Sequence, residues 1–252
     1  MAKSQNIVFG VNPVLEKLKA SSDDILELII SNGSDRAALQ LIRREAARLG
    51  LRVLSADSKR LDQLAGRHRH QGVVAFVEPY RYSTFTDLLQ RISTSASSDG
   101  ILILDGVTDP RNLGALLRTA EAVGVRHIVL PKNRSVAVTP IVVKASAGAA
   151  HHLNIVKVTN LRRTIAILKE HGYWIAGLDI HGRESVYDRI YPAKLAVVLG
   201  SEGAGVRPIN LRECDFLVSI PMLGKVASLN VAVAGAVFLY EVLRQLRYSP
   251  RE

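Results

Sequence analysis

The chain has 252 residues, 48% of them hydrophobic and 22% charged, with a formal net charge of +10. This size and balance indicate a soluble globular protein with room for one large or two modest domains. The positive charge favours a polyanionic partner, although a basic surface with no such role stays open. The single cysteine, Cys214, excludes an internal disulfide and fits a reducing compartment.

The first 80 residues predict a small α/β unit. We expect helices and strands in turn at residues 12–18 (helix), 25–30 (strand), 35–49 (helix), 51–54 (strand) and 73–77 (strand). Residues 1–10 lack the apolar run of a secretory signal, which favours a cytoplasmic protein.

A basic loop, Arg67-His68-Arg69-His70-Gln71-Gly72, precedes the last of these strands. It can hold phosphates, or it can be a solvated loop with nothing bound. Two histidines without cysteines or carboxylates beside them make a poor zinc site, so no metal is predicted.

Small polar residues at 93–100 form the clearest linker in the chain. We therefore predict an N-terminal domain at 1–80, a connection at 81–99 that includes a short helix at 85–92, and a C-terminal domain at 100–252.

Beyond the linker, strand and helix patterns alternate. Strands are predicted at 101–104, 127–130, 155–158, 174–178, 195–199 and 216–220, with helices at 112–123, 139–147, 161–171 and 208–213. This alternation predicts a mostly parallel sheet, whose ligands would bind beyond the carboxyl ends of the strands.

The loop after the first of these strands carries the first chemical signal. Asp109 can cap a helix that has proline in its first position. On that helix Arg111 and Arg118 share one face, with only Gly114 and Ala115 between them. The cleared space favours a binding site over two solvated cations.

The second signal follows the last two strands. Their loops begin at Gly200 and Pro221, and Ser228 is predicted to cap a helix that runs to about Arg244. The first half of that helix, residues 231–236, is small and apolar, as tight packing or a subunit interface requires.

Two other interpretations of this stretch are weak. A membrane span needs about 18 apolar residues, whereas Val231 to Tyr240 is followed at once by Glu241. A dinucleotide site needs G-x-G-x-x-G early in the chain, whereas Gly200, Gly203 and Gly205 have a different spacing.

Three segments, DPRNLGALLRTAEAVG, VLGSEGAGV and IPMLGKVASLNVAVAGAVF, resemble the three motifs of the SpoU/TrmH family of RNA 2'-O-ribose methyltransferases, within the SPOUT superfamily. The resemblance covers residues 101–246. The N-terminal part, ending in HQGVVAFV, is similar to the ribosomal-protein-like RNA-binding domain of the branch that modifies a guanosine in 23S rRNA.

The resemblance implies a homodimer with a C-terminal trefoil knot and S-adenosylmethionine bound within the knot, acting on rRNA, with neither a membrane nor DNA as partner. The implied cofactor contacts are Leu178, Leu199, Gly200, Ile220 and Leu229. The implied catalytic set is Asn112, Arg118, Glu202, Ser228 and Asn230. The family is usually described with this arginine as the base, but the high pKa of a guanidinium favours stabilisation of the developing alkoxide by Arg118. We expect Arg67, Arg69 and Arg111 to contact RNA.

The chain departs from the family where His151 stands in place of a frequent Glu, which leaves the role of an acid there open. Two alternatives also stay open: a tRNA 2'-O-methyltransferase of the same family, and a non-catalytic RNA-binding relative.

Overall fold

A computed structural model describes residues 6–20, 22–33, 36–66, 68–94 and 100–248. The strands are β1 (Asn6–Phe9), β2 (Ile25–Ser31), β3 (Val53–Ala56), β4 (Val73–Val77), β5 (Ile101–Asp105), β6 (His127–Pro131), β7 (Asn154–Val158), β8 (Trp174–Leu178), β9 (Glu184–Ser185), β10 (Leu195–Gly200) and β11 (Phe216–Ser219). The helices are α1 (Val11–Ala20), α2 (Ala37–Arg48), α3 (Ser58–Leu64), α4 (Phe85–Thr94), α5 (Pro110–Ala122), α6 (Pro140–Ala145), α7 (Leu161–Glu170), α8 (Pro208–Leu211) and α9 (Val231–Leu243).

The chain divides into two compact units. The first contains residues 1–81 and 137–152, and the second contains residues 82–136 and 153–252. In the first unit a four-stranded sheet has the order β1-β4-β2-β3, in which β2 and β3 are parallel and the other pairs antiparallel. Its buried core includes Phe9, Leu28, Ile30 and Leu39.

The segment 137–152, which includes α6, belongs to the first unit although the sequence places it inside the C-terminal domain. The Tyr80 hydroxyl donates to the Ala150 carbonyl at 3.0 Å, and the His152 ring Nε2 lies 2.8 Å from Glu16 Oε2. The chain therefore passes between the two units more than once. The predicted boundaries at 80 and 99 stay a prediction.

His151 lies at the end of this segment, half-buried and with its ring 6.4 Å from that of Tyr80. Burial, together with the nearby Lys17 ammonium, lowers the pKa of His151 to about 4. Its Nε2 is buried without a hydrogen-bond partner among the described residues. A neutral imidazole ring therefore occupies the position where the family often has Glu.

The second unit contains a seven-stranded parallel sheet of order β7-β6-β5-β10-β8-β11-β9, which confirms the predicted fold class. Helix α9 packs against α5 and β10 at Gly235. A Cβ there would lie 2.5 Å from Leu116 Cδ2 and 2.7 Å from Leu199 Cδ1, so the missing side chain permits this close approach. The trefoil knot stays a prediction.

Helix α4 lies in the predicted connection but packs in the second unit. Leu88 and Ile92 are buried in the same core as Ile101, Ile103 and Val156. Residues 95–99 of the connection lie outside the described residues. Within the described parts of the chain, no helix is long and apolar enough to cross a bilayer.

Candidate active site

The predicted site lies at one edge of the parallel sheet. Strands β5, β10, β8 and β11 are neighbours and run in the same direction. Their carboxyl ends therefore meet at one edge, where ligands of such sheets bind. This carboxyl edge is built from the loops that follow these strands.

The loop after β5 is organised by Asp109. Its carboxylate accepts the backbone N–H groups of Arg111 at 2.7 Å and Asn112 at 2.9 Å, so it caps α5 as predicted. Pro110 occupies the first helical position. This cap fixes Asn112 in the first turn of α5, facing the carboxyl edge.

The loop after β10 turns back on itself at once. Ser201 and Gly205 exchange two backbone hydrogen bonds of 3.0 Å each. A Cβ on Gly200 would lie 1.8 Å from the carbonyl carbon of Gly205, which only glycine avoids. The turn holds Glu202 at its exposed tip.

A buried carboxylate anchors the far end of this turn. Asp105, at the end of β5, is 1% exposed. It accepts the Arg207 backbone N–H at 2.9 Å, Arg207 Nε at 2.7 Å and Asn210 Nδ2 at 2.8 Å. The sequence analysis missed these three residues. The available signal was an acidic residue that ends a buried strand.

Three polar side chains form a cluster, defined here as Asn112 in the first turn of α5, Glu202 in the turn after β10 and Asn230 at the start of α9. Asn112 Nδ2 donates to Glu202 Oε2 at 3.0 Å. Asn230 Nδ2 donates to Glu202 Oε1 at 2.8 Å and to Asn112 Oδ1 at 3.0 Å. The structure therefore brings together three of the five residues predicted to be catalytic.

Asn230 also caps helix α9, because its Oδ1 accepts the N–H groups of Ala232 at 2.9 Å and Val233 at 3.4 Å. The prediction that Ser228 caps this helix is wrong. The helix begins two residues later than expected, so Ser228 stays in the exposed loop, where it makes no hydrogen bond with any described residue.

Three of the four predicted cations are exposed. Arg111 and Arg118 on α5 have no ion-pair partner among the described residues, so both guanidinium groups are available to an anion. Arg69 is exposed in the first unit, where the Lys144 ammonium donates to its carbonyl. Arg67 lies outside the described residues.

The predicted cofactor contacts lie at the carboxyl edge. Leu199 and Gly200 end β10, Leu178 ends the adjacent β8, and Ile220 follows the next strand, β11. Leu229 lies in the loop 220–229. The backbone of this loop makes no hydrogen bond to the described parts of the chain.

Two family models match the chain. One, described as the SpoU rRNA methylase family, matches residues 99–240, and another, described as RNA 2'-O ribose methyltransferase substrate binding, matches residues 7–83. The first match alone covers more than half of the chain.

The chain belongs to the SpoU rRNA methylase family.

Relatives of known name support the assignment. This SpoU protein is 41% identical over 245 residues to the 23S rRNA (guanosine-2'-O-)-methyltransferase RlmB of Shewanella oneidensis, covering 97% of this chain and 99% of that protein. It is 40% identical over 243 residues to RlmB of Neisseria meningitidis serogroup B, covering 96% of each. The predicted family and the prediction of an RNA methyltransferase are confirmed.

A solved structure shares the fold over nearly the whole chain. The SpoU methyltransferase AviRb from Streptomyces viridochromogenes, in complex with AdoMet, matches with a TM-score of 0.79 and 25% identity. The match covers 98% of this chain and 92% of that chain.

Cys214 offers this SpoU protein no alternative nucleophile. Burial raises the pKa of its thiol to about 12, so the sulfur stays protonated at neutral pH. Among the described residues no cluster of His, Cys, Asp or Glu suits a metal ion. The amides of the cluster and the guanidinium groups on α5 can orient and stabilise an anionic oxygen.

Proposed function

We propose that this SpoU protein transfers a methyl group from S-adenosylmethionine to the ribose 2'-hydroxyl of a guanosine in 23S rRNA. The observation that carries the proposal is the bonded cluster Asn112, Glu202 and Asn230 at the carboxyl edge, with the unpaired cation Arg118 on the same helix as Asn112. The names of its RlmB relatives supply the substrate.

The carboxyl edge suits S-adenosylmethionine. Loop 220–229 offers backbone donors and acceptors that the described chain leaves unused, and Leu223 in it is fully exposed. An adenosine group needs such an edge of backbone polar groups beside apolar side chains. Leu178, Leu199, Gly200, Ile220 and Leu229 would hold the cofactor, which supplies an electrophilic methyl group when bound.

Arg118 would stabilise the ribose oxygen as its proton leaves. The 2'-hydroxyl is a weak nucleophile while protonated, so the enzyme must align it and stabilise developing negative charge. A guanidinium is too weak an acid to serve readily as a base, which favours this electrostatic role.

The cluster would position the reacting groups. Glu202 receives hydrogen bonds from two amides, so its carboxylate ties the turn after β10 to helices α5 and α9. Ser228, which is exposed in loop 220–229, would contact the substrate or the cofactor. The single connected arrangement fixes the loops on both sides of the proposed cofactor position.

The first unit would recognise the RNA. It matches the substrate-binding model, and Arg69 is exposed on it. Structured RNA is recognised through its shape, phosphates and exposed loops, which a separate basic unit can contact. Arg67 and Arg69 would supply phosphate contacts there, and Arg111 would do so beside the site.

We further propose a knotted homodimer that acts in the cytoplasm. Val233 is 49% and Tyr240 53% exposed on helix α9, which is apolar along most of its length. A second copy would cover such a face in an isologous interface. Sedimentation at micromolar concentration should give a dimer, and a stable, active monomer would refute this part of the proposal.

The function is tested by methyl transfer to defined RNAs. Purified protein, S-adenosylmethionine with a labelled methyl group, and unmodified 23S rRNA should give one 2'-O-methylated guanosine, located by mapping. Transfer RNA should not be labelled. Labelling of tRNA alone would instead establish the tRNA alternative, and binding of RNA with no methyl transfer would establish a non-catalytic protein.

A further inference from the structure

A second basic site lies at the same carboxyl edge, away from the cluster. An open depression of about 580 Å³ is lined by two lysines, two hydroxyl residues and two aromatic residues of the second unit, namely Lys132, Lys157, Ser83, Thr84, Tyr82 and Phe85. Lys157 lies in β7 and Lys132 directly follows β6, so both mark the carboxyl ends of adjacent parallel strands.

The structure fixes the positions of the two lysines and leaves their positive charges unpaired by any described carboxylate. Lys132 donates its backbone N–H to the Val158 carbonyl at 2.7 Å, which fixes the start of its loop beside β7. The Lys157 ammonium lies 4.4 Å from the centroid of the Tyr82 ring, a geometry that holds a cation while leaving it its charge. Among the described residues neither lysine has a carboxylate partner.

The segment that carries Tyr82 is tied to the same strand. Ser83 donates its N–H to the Ile155 carbonyl at 3.0 Å and pairs in parallel with Val156. Thr84 and Asp87 exchange hydrogen bonds at the start of α4, so the nearby acid already has partners. These bonds order the wall of the depression from which the Tyr82 ring projects.

The position along the sheet points to the ligand. Strand β5 lies two strand spacings, about 10 Å, from β7. Strand β5 leads to α5, which carries Arg111 and Asn112 in its first turn. Arg134 is exposed in the loop after β6, the strand between β5 and β7. Its carbonyl oxygen lies 3.9 Å from the position that a Cβ on Gly106 would take, so this loop is close to the loop after β5. Cations thus recur along one edge, from Lys157 towards Arg111 in the first turn of α5.

We propose that Lys132 and Lys157 form a phosphate-binding site for the substrate RNA, with Tyr82 as the residue that positions Lys157. RNA that reaches the cluster would continue along the carboxyl edge to this site. The proposal rests on the proposed function for the identity of the ligand. A cation pair without carboxylate partners contributes affinity by releasing counterions from the phosphates that it neutralises.

The test compares two double variants that remove the same charge. Lys132→Ala with Lys157→Ala removes the site. Arg126→Ala with Lys194→Ala is the matched control, because Arg126 and Lys194 are exposed cations at the opposite, amino ends of β6 and β10. Lys194 also lies over a tyrosine ring, 6.0 Å from the Tyr173 centroid.

Binding of a 23S rRNA fragment is measured against salt, without S-adenosylmethionine. The site variant should bind several-fold more weakly, and the slope of log affinity against log salt should fall by about 1 to 2 relative to the control. In methyl transfer the KM for RNA should rise while kcat at saturating RNA is unchanged. Tyr82→Ala should reproduce part of the loss, and Tyr82→Phe, which keeps the ring, should not.

Equal affinities and salt slopes for the site and control variants would overturn the proposal. If Tyr82→Phe binds RNA as weakly as Tyr82→Ala does, the positioning role of Tyr82 is overturned. Because binding is measured without methyl transfer, wild-type protein that shows the salt effect but methylates no rRNA would contradict the proposed function and leave the phosphate site standing.

Discussion

The two edges of the parallel sheet expose different chemistry. At the carboxyl edge, polar side chains from two loops and the first turn of α5 are bonded to one another. At the amino edge, a cavity of about 110 Å³ is lined mainly by apolar side chains such as Val125, Leu195 and Leu239. Buried apolar area stabilises the fold, whereas exposed polar groups contribute little to stability. Substitutions at the carboxyl edge should therefore affect catalysis, and those at the amino edge stability.

The largest expected effect on catalysis comes from Arg118→Ala. Removing a positioned donor to a developing oxyanion should lower kcat by roughly 10² to 10³, with little change in cofactor affinity. Arg126→Ala removes another exposed arginine, at the amino edge, and should leave kcat unchanged. Single-turnover rates and calorimetric binding of S-adenosylmethionine measure both. Near-normal rates in Arg118→Ala would show that it is only a surface cation.

Gly200→Ala should affect both stability and catalysis. The added Cβ would collide with the backbone at Gly205, so the turn that holds Glu202 must move, at a cost of about 1 to 3 kcal/mol. Gly224→Ala, in loop 220–229, meets no atom within 4 Å and should leave the stability unchanged. Urea unfolding of both variants measures the change in stability, and methyl transfer measures the change in catalysis. A stable, active Gly200→Ala protein would contradict the close approach.

Asn230 allows its two roles to be separated. Asn230→Ser keeps a capping oxygen but loses the amide that binds Glu202 and Asn112, whereas Asn230→Ala loses both functions. The Ala variant should be about 1 kcal/mol less stable than the Ser variant, while both should lose methyl transfer to a similar extent. Full activity in Asn230→Ser would show that the amide bonds of the cluster are dispensable.

The smallest effect on catalysis is expected at the amino edge. Gly124 ends α5 with a φ of +82°, a conformation that alanine adopts at a cost of roughly 1 to 2 kcal/mol. Gly124→Ala should therefore lower the midpoint of thermal unfolding and leave kcat unchanged at temperatures where the variant is folded. A parallel loss of kcat would show that the two edges are coupled.

Local sequence patterns predicted the parallel sheet well because its strands are short, apolar and rich in β-branched residues. Residues 174–178, for example, coincide with β8. Strand β1 and helix α3 were missed, since α3 is only seven residues long and buries a single side chain, Leu61. Short elements that depend on neighbours for their burial carry a weak periodic signal.

The cluster could not be derived from local patterns, because Asn112 lies 90 and 118 residues from its two partners in the chain. Family resemblance named them, and the structure shows that they touch. The grouping of 137–152 with the first unit was unforeseen for the same reason. Its helix has an ordinary pattern, and only the fold determines which unit covers Val142 and Val143.

Asn230 couples the cluster to the first turn of helix α9. Its Oδ1 accepts the amide protons of Ala232 and Val233, while its Nδ2 holds the cluster together. A rotation of this one side chain therefore exposes two helix amides to solvent. A ligand that orders the cluster should slow deuterium exchange at the amides of Ala232 and Val233. Binding stabilises the closed first turn of α9, so the open state from which these amides exchange is less populated. The occupancy of the site can thus be followed at backbone positions that need not contact the ligand.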